Sequence, residues 1–509
     1  FGADSRQAAG VLSNLADAVL SQDRAADAEP LLRRALDLQT KLRGPGHPSV
    51  GTTQRRLANS LKGQGRLEEA EPLYGTALAI LENVFGADHP DVAETLFDSA
   101  DLAFKRGKFD DAFNLLKRAS AIFEKRASVG DTSLEAGALV TRKQGEIFRR
   151  FAETGFELAL TDESRRVLIA TDTFKAAQLA GQSRTGVALN QLGVRIGQSD
   201  PALAETVRQR QDLSAKWLQL EGALIDALGT PAGGTGGGTG QGAGKNKQDA
   251  ASGAGAILAA MTKAEGEIAA IDAKLTAASP TYAELSNPRP LTIGEAQKAL
   301  AADEAMVLYL VNADNTLIWV WTREQIVFVN TQAGEARLTG LVKTLRAGLD
   351  TPEAKEAAVA GKAVFDLAAA HELYTLLLGS DRVEAALAGK KHVIIVPTGV
   401  LTALPFQVLV TAPPAGPVTD ESFRKAEWLI RRHAVSVLPT VSSLKLQQDA
   451  TPAEISAVGQ LVMLTQRIGK SANEFLTTEG VSPEAVFLLG KDLNSFREIG
   501  NGLLSGSSE

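Results

Sequence analysis

Small and apolar residues return along the front of the chain at a fixed interval. His47 comes back as His89, which sets a period of 42 residues. At that offset Leu15-Ala16 aligns with Leu57-Ala58, Ala28-Glu29-Pro30-Leu31 with Ala70-Glu71-Pro72-Leu73, and Ala35-Leu36 with Ala77-Leu78. Gly44-Pro45-Gly46-His47-Pro48 returns as Gly86-Ala87-Asp88-His89-Pro90, and a fainter echo continues through Ala100, Gly107, Ala112, Leu115 and Ala119. Each unit holds two amphipathic stretches, so the pattern predicts helical hairpins. Gly65 and Gly107 lie in the turn within a hairpin, and the Gly44–Pro48 and Gly86–Pro90 segments lie in the turn between hairpins. The fixed small residues allow close approach of the helices. One hairpin cannot bury its apolar side alone, whereas stacked copies can, and they leave a concave face suited to a peptide or protein partner.

Beyond Ser133 the period fades while three- and four-residue spacing persists. Phe156, Leu158, Leu160, Val167, Leu168, Phe174 and Leu179, then Val207, Leu213, Trp217, Leu220 and Leu224, predict further helices that extend the array. Residues 229–255 are rich in Gly and predict a flexible linker or a hairpin tip. A phosphate-binding loop is excluded there, because Thr239 and Asn246 stand where the Walker pattern needs Gly and Ser or Thr. A helix from Ile257 to Leu275 should pair antiparallel with Val207–Leu228.

The rhythm changes after Pro288. Met306–Val311 and Leu317–Trp321, separated by Asn312–Thr316, predict a β-hairpin, with a third strand at Ile326–Val329. Glu335–Leu349 and Ala354–Leu378 read as helices. His392–Pro397 reads as a buried central strand, and Ala434–Leu438 as its neighbour. Strands alternating with helices imply an α/β layer in place of a continued solenoid.

Composition narrows the chemistry. A net charge of -7 argues against a nucleic-acid surface, which needs a concentrated basic face. No apolar run is long enough to span a bilayer. With Cys 0, the chain offers no disulfide, no thiolate metal site and no sulfur nucleophile. The sequence begins at Phe1 without Met, so a removed signal peptide and an upstream start are both open. Cytoplasmic localisation is expected, with the periplasm as the alternative.

The repeats over about residues 5–130 resemble tetratricopeptide repeats of the longer, kinesin-light-chain-like kind, on the strength of the Gly-x-x-His-Pro turn. The second half resembles the amino-terminal portion of a CHAT domain, a caspase-like fold that commonly follows such repeats. The resemblance rests on Ser286–Leu291, Glu304–Leu310, Val393–Pro397, Gly399–Leu401, Leu404-Pro405-Phe406, Trp428–His433, Leu438-Pro439 and Ser442–Leu444. It implies a His/Cys dyad in a His-Gly turn and an Ala-Cys segment, and this chain has neither. From Ala453 onward, Gly459–Lys470 resembles the ligand-sensing helix of type IV pilus chemoreceptors of the PilJ kind.

The fold class expected is therefore α plus α/β: a TPR-like helical solenoid, an incomplete caspase-like sheet domain and a short helical tail. The boundaries are 1–132 (repeats), 133–228 (helical extension), 229–255 (linker), 256–285 (helix), 286–448 (CHAT-like) and 449–509 (PilJ-like tail). The function expected is a bacterial interaction scaffold with a catalytically incomplete CHAT domain and no cofactor, metal or catalytic residue. The alternatives are a fragment of a CHAT cysteine peptidase whose complete form cleaves a partner, and a pilus-chemoreceptor-like sensor. The structural residues singled out are Gly44, His47, Pro48, Gly86, His89 and Pro90 in the turns, and Pro397, Gly399, Leu404, Pro405 and Phe406 in the CHAT-like part. A serine nucleophile at Ser442 or Ser443 near His433 would need groups to converge without a motif, and a solvated hydroxyl-rich loop is expected there instead. Arg431, Arg432 and His433 read as a solvated basic cluster, and Glu68-Glu69 and Asp110-Asp111 as acidic helix starts.

Overall fold

The structure, a computed structural model, describes residues 4–129, 137–181, 203–227, 247–279, 290–350, 365–414 and 420–444. The tail from 445 to 509 and most of the Gly-rich run therefore lie outside the described residues. The chain divides into two units: Phe1–Glu163 with Gly197–Ser279, and Ser164–Ile196 with Pro280–Glu509.

The first unit is a stack of helical hairpins: α1 (Arg6–Leu20) with α2 (Ala25–Arg43), α3 (Pro48–Gly63) with α4 (Leu67–Phe85), and α5 (Pro90–Lys105) with α6 (Phe109–Val129). Helix α7 (Gly137–Thr161) follows and packs on α6. The turn residues explain the boundaries. Pro48 and Pro90 occupy the first helical position, where a missing N–H costs nothing. His47 and His89 precede them in extended conformation and cap the helices, Nδ1 accepting from the N–H of Ser49 at 3.1 Å and of Asp91 at 3.2 Å. Gly44, Gly65, Gly86 and Gly107 end the preceding helices with φ of 89°, 77°, 85° and 72°, a region that strains any residue with a Cβ. Acidic Glu68-Glu69 and Asp110-Asp111 sit in the first turns of α4 and α6.

Ala16, Ala28, Ala58 and Ala70 are fully buried, and with Leu32, Leu57, Leu61 and Tyr74 they form one core. The small side chains let neighbouring helices approach, and polar bonds set the register between hairpins. Ser60 Oγ donates to Ala25 O at 2.7 Å, and Thr53 Oγ1 to Gln39 Oε1 at 2.8 Å. After α8 (Arg166–Ala180), described with the second unit, helices α9 (Ala204–Ala227) and α10 (Lys247–Ala278) form the antiparallel pair expected, tied by Arg210–Asp272 at 3.1 Å and Trp217–Glu265 at 3.2 Å. Helix α10 starts at Lys247, inside the stretch read as linker.

The second unit is built on a five-stranded sheet of order β3-β2-β1-β4-β5. Its strands are β1 (Glu304–Val311), β2 (Thr316–Trp321), β3 (Ile326–Thr331), β4 (His392–Val396) and β5 (Ala434–Val437). β1-β2-β3 is an antiparallel meander, while β4 and β5 run parallel to β1. One face, with Val307, Tyr309, Val393 and Ile395, packs with α12 (Glu335–Asp350), α13 (Leu367–Leu377) and α14 (Asp381–Leu387). Such burial explains the near-continuous apolar runs in the strands. A short helix, α11 (Ile293–Lys298), leads into β1, and α15 (Asp420–Lys425) and α16 (Leu429–Arg432) precede β5.

Two expectations change. Helix α8 (Arg166–Ala180), expected to extend the repeats, belongs to the sheet unit. Its Phe174 meets Trp321 edge-on at 4.9 Å, and Arg166 donates to Phe328 O at 3.1 Å. Ile169, Phe174 and Ala177 are buried while Val167 and Leu168, part of the same apolar spacing, are exposed, so periodicity alone could not assign the helix. The helix expected over Ala354–Leu378 does not run through: Asp366 caps a fresh helix by accepting from Ala369 N at 2.9 Å, and residues 351–364 lie outside the described residues.

Candidate functional site

Two places carry concentrated polar chemistry. The first is a ladder across the opening helices of the repeats. Arg55 on α3 pairs with Glu94 at 2.7 Å and Asp98 at 3.3 Å on α5, and Asn59 donates to Asp98 at 2.9 Å. Lys62 pairs with Asp101 at 2.9 Å, and Arg56 reaches back to Asp17 on α1 at 2.8 Å. Asp101 also lies 3.6 Å from Arg150 on α7. Signs thus alternate from helix to helix. Burial opposes the charge on Arg55, but Glu94 and Asp98 outweigh it and hold its proton more firmly than usual. Burial also works against the Asp101 carboxylate, and Lys62 overrides it, leaving Asp101 below the usual carboxylate range.

The two repeat histidines differ. His47 is half-buried, with Arg43 Nη1 at 3.4 Å. His89 is buried and stacks on Phe85 at 4.2 Å, and burial pulls its pKa down to about 4. Its Nδ1 accepts the Asp91 N–H, so the proton of the neutral ring sits on Nε2, which is buried without a partner. Neither histidine has a metal-site environment, and among the described residues no group of three His, Cys, Asp or Glu could hold an ion.

The second place is at the starts of the three parallel strands. Glu304 opens β1 and His392 opens β4, and the two are register partners. Ser436 pairs with Ile394, two residues along β4 from His392, so Ser436 shares its face of the sheet. His392 Nδ1 lies 3.0 Å from Glu304 Oε1, and His392 Nε2 lies 2.9 Å from Ser436 Oγ. Glu304 Oε2 accepts from Ala301 N at 2.9 Å. The His392 and Glu304 side chains are 25% and 22% exposed, so reagents can reach them.

The candidates read from the sequence fall elsewhere. Ser442 and Ser443 bond Thr440 Oγ1 at 3.0 and 2.8 Å, while His433 turns its Nδ1 to Lys390 O at 2.7 Å; the structure does not bring them together. Arg431 donates to Ala426 O and Arg424 O, and Arg432 pairs with Glu427, so both arginines of that cluster serve local structure. In the CHAT-like motif, Pro397 is buried after β4, Gly399 turns the chain with φ 55°, and Leu404 and Phe406 are buried beside half-buried Pro405. Phe406 stacks on Tyr309 at 5.8 Å. Glu304 and Ser436 escape a reading of the sequence because no linear motif joins them; a Ser inside the apolar Ala434–Leu438 run is the one available sign.

A unit of stacked helical hairpins and a mixed α/β unit, joined in one chain, define the class of protein. A tetratricopeptide-repeat family matches residues 7–74 and 49–125, and the CHAT domain family matches residues 367–484. The matches place tetratricopeptide repeats in the front of the chain and a CHAT domain in its second half, consistent with a CHAT/TPR protein. The CHAT match runs through 449–484, the start of the stretch read as PilJ-like, and no match supports a chemoreceptor. Two crystal structures of kinesin light chain TPR-like repeats from Podosopora anserina, one of them a point-substituted form, are similar at 20% identity and a TM-score of 0.24. They cover 41% and 42% of this chain and 96% and 99% of their own. No curated protein matches the chain. No described helix is long and apolar enough to cross a membrane.

Proposed function

We propose that the chain is an interaction scaffold whose repeats hold an extended segment of a partner protein along the face shared by α1, α3 and α5. The observation that carries this reading is the ladder. Arg55, Asn59 and Lys62 on α3 stand against Glu94, Asp98 and Asp101 on α5, and Arg56 stands against Asp17 on α1, so the face is dense in hydrogen-bonding groups whose charges meet partners of opposite sign. Side chains fixed in advance lose little entropy on binding, which favours backbone recognition of a peptide over capture of a net charge. The CHAT region serves in this reading as a holding or regulatory element. Cysteine-peptidase chemistry needs a thiolate, and these 509 residues contain no cysteine.

Selection of binders from a displayed random-peptide library tests this directly on the full chain. Enriched peptides should bind in fluorescence anisotropy, and Asn59→Ala and Arg56→Ala should each weaken them by about tenfold. Enrichment of no peptide, or binding indifferent to both substitutions, sinks the proposal. Incubation of the chain with a broad peptide library should give no cleavage above background.

A further inference from the structure

We propose that Ser436, His392 and Glu304 form an acyl-accepting site with serine-esterase chemistry, directed at small carboxylic esters that bear a good leaving group. The hydrogen bonds fix a direction. An ionised Glu304 only accepts, so His392 Nδ1 carries the proton and donates to Oε1 at 3.0 Å. The neutral ring then has a bare Nε2, and the Ser436 hydroxyl must donate to it at 2.9 Å. Ala301 N, bonded to Oε2 at 2.9 Å, holds the carboxylate in place. Nucleophile, base and orienting acid thus stand within hydrogen-bond reach in the order that activates a serine. Each comes from a different parallel strand, so the arrangement rests on sheet register and not on a mobile loop.

Access and an anion site complete the case. Strand β5 is an edge of the sheet among the described residues, and Val437 is 41% exposed. Ala434 N donates to Lys391 O, just before β4, and Leu438 N to Ile395 O within it, so by strand alternation the Val437 N–H faces away from β4. The N–H of the residue after a nucleophile is a natural donor to a developing oxyanion. In the reaction the Ser436 Oγ electron pair attacks the ester carbonyl carbon while His392 Nε2 takes the hydroxyl proton. The bond from carbonyl carbon to leaving oxygen then breaks, and His392 returns the proton to that oxygen. Water, deprotonated by His392 Nε2, attacks the acyl carbon; the bond from that carbon to Ser436 Oγ breaks, His392 passes the proton to Oγ, and the acid leaves with the Ser436 hydroxyl restored. A single backbone donor restricts the site to esters with stable leaving groups and leaves peptide amides outside the class. Met306 and Ile394, next along β1 and β4 on the same face, are fully buried and offer no apolar surface for a long acyl chain to lie on.

The test uses the full chain with p-nitrophenyl acetate and with a fluorophosphonate label located by mass spectrometry. Label should appear on Ser436, and Ser436→Ala and His392→Gln should each cut labelling and hydrolysis by about tenfold or more, while Ser442→Ala and Ser443→Ala change neither. Ser436→Cys guards against a folding artefact, because it places one thiol in a chain that otherwise has none. Iodoacetamide at pH 7 should alkylate it about tenfold faster than the Ser436→Cys/His392→Gln double variant. Label absent or on another residue, or equal alkylation rates in the two cysteine variants, overturns the proposal.

Discussion

In the repeat unit, polar partners lie about one period apart: Arg55 meets Glu94 and Asp98 at separations of 39 and 43 residues, and Gln64 reaches Glu29 across 35. In the sheet unit, Glu304 meets His392 across 88 residues and His392 meets Ser436 across 44, in strands that carry no sequence repeat. The first unit is a sum of neighbour contacts, each copied with its hairpin. The second depends on strands that converge only when the whole sheet forms. Damage should therefore spread differently in the two.

The largest effect is expected in the repeats. Ala58 is fully buried where helices approach closely, so Ala58→Arg forces a charge into the core at a cost of more than about 4 kcal/mol. Circular dichroism should show the repeat helices lost at room temperature; an unchanged melt would mean the hairpins do not pack there. In the sheet unit, Phe174→Ala empties the space against Trp321 and should cost about 3 kcal/mol. Hydrogen exchange should quicken across 304–331, and exchange confined to α8 would break the assignment of that helix to the sheet.

The repeat histidine gives a third contrast. His89 takes up its proton at about 4 in the folded chain, against its ordinary 6.5. Between those values the unfolded chain binds more protons, so stability falls as pH drops from about 6.5 to about 4, by up to about 3 kcal/mol. His89→Asn keeps a capping acceptor and should flatten this dependence in denaturant titrations. A slope that survives the substitution would shift the effect to other groups. The smallest change is expected at Arg24 and Asp27, an exposed pair on one helix turn, where Asp27→Ala should alter stability by less than about 0.5 kcal/mol.

The same locality decides what the sequence reveals. Hairpins and turn glycines follow from local spacing, and the structure shows each in place, whereas the capping by His47 and His89 appears only with their ring positions. The three-stranded meander is equally plain in its apolar runs and turn. Periodicity misplaces helix α8 because its buried stripe fits either neighbour, and only tertiary packing on Trp321 selects the sheet. The Glu304–His392–Ser436 cluster is invisible for a stronger reason: register between distant strands creates it, and no residue spacing along the chain encodes that register.

Hydrogen exchange of the full chain with and without a selected peptide weighs the scaffold reading most directly. Protection should appear in 48–63 and 90–105, the helices that carry the ladder, and should vanish with Asn59→Ala. Protection restricted to 290–444, with the repeats unchanged, would contradict it.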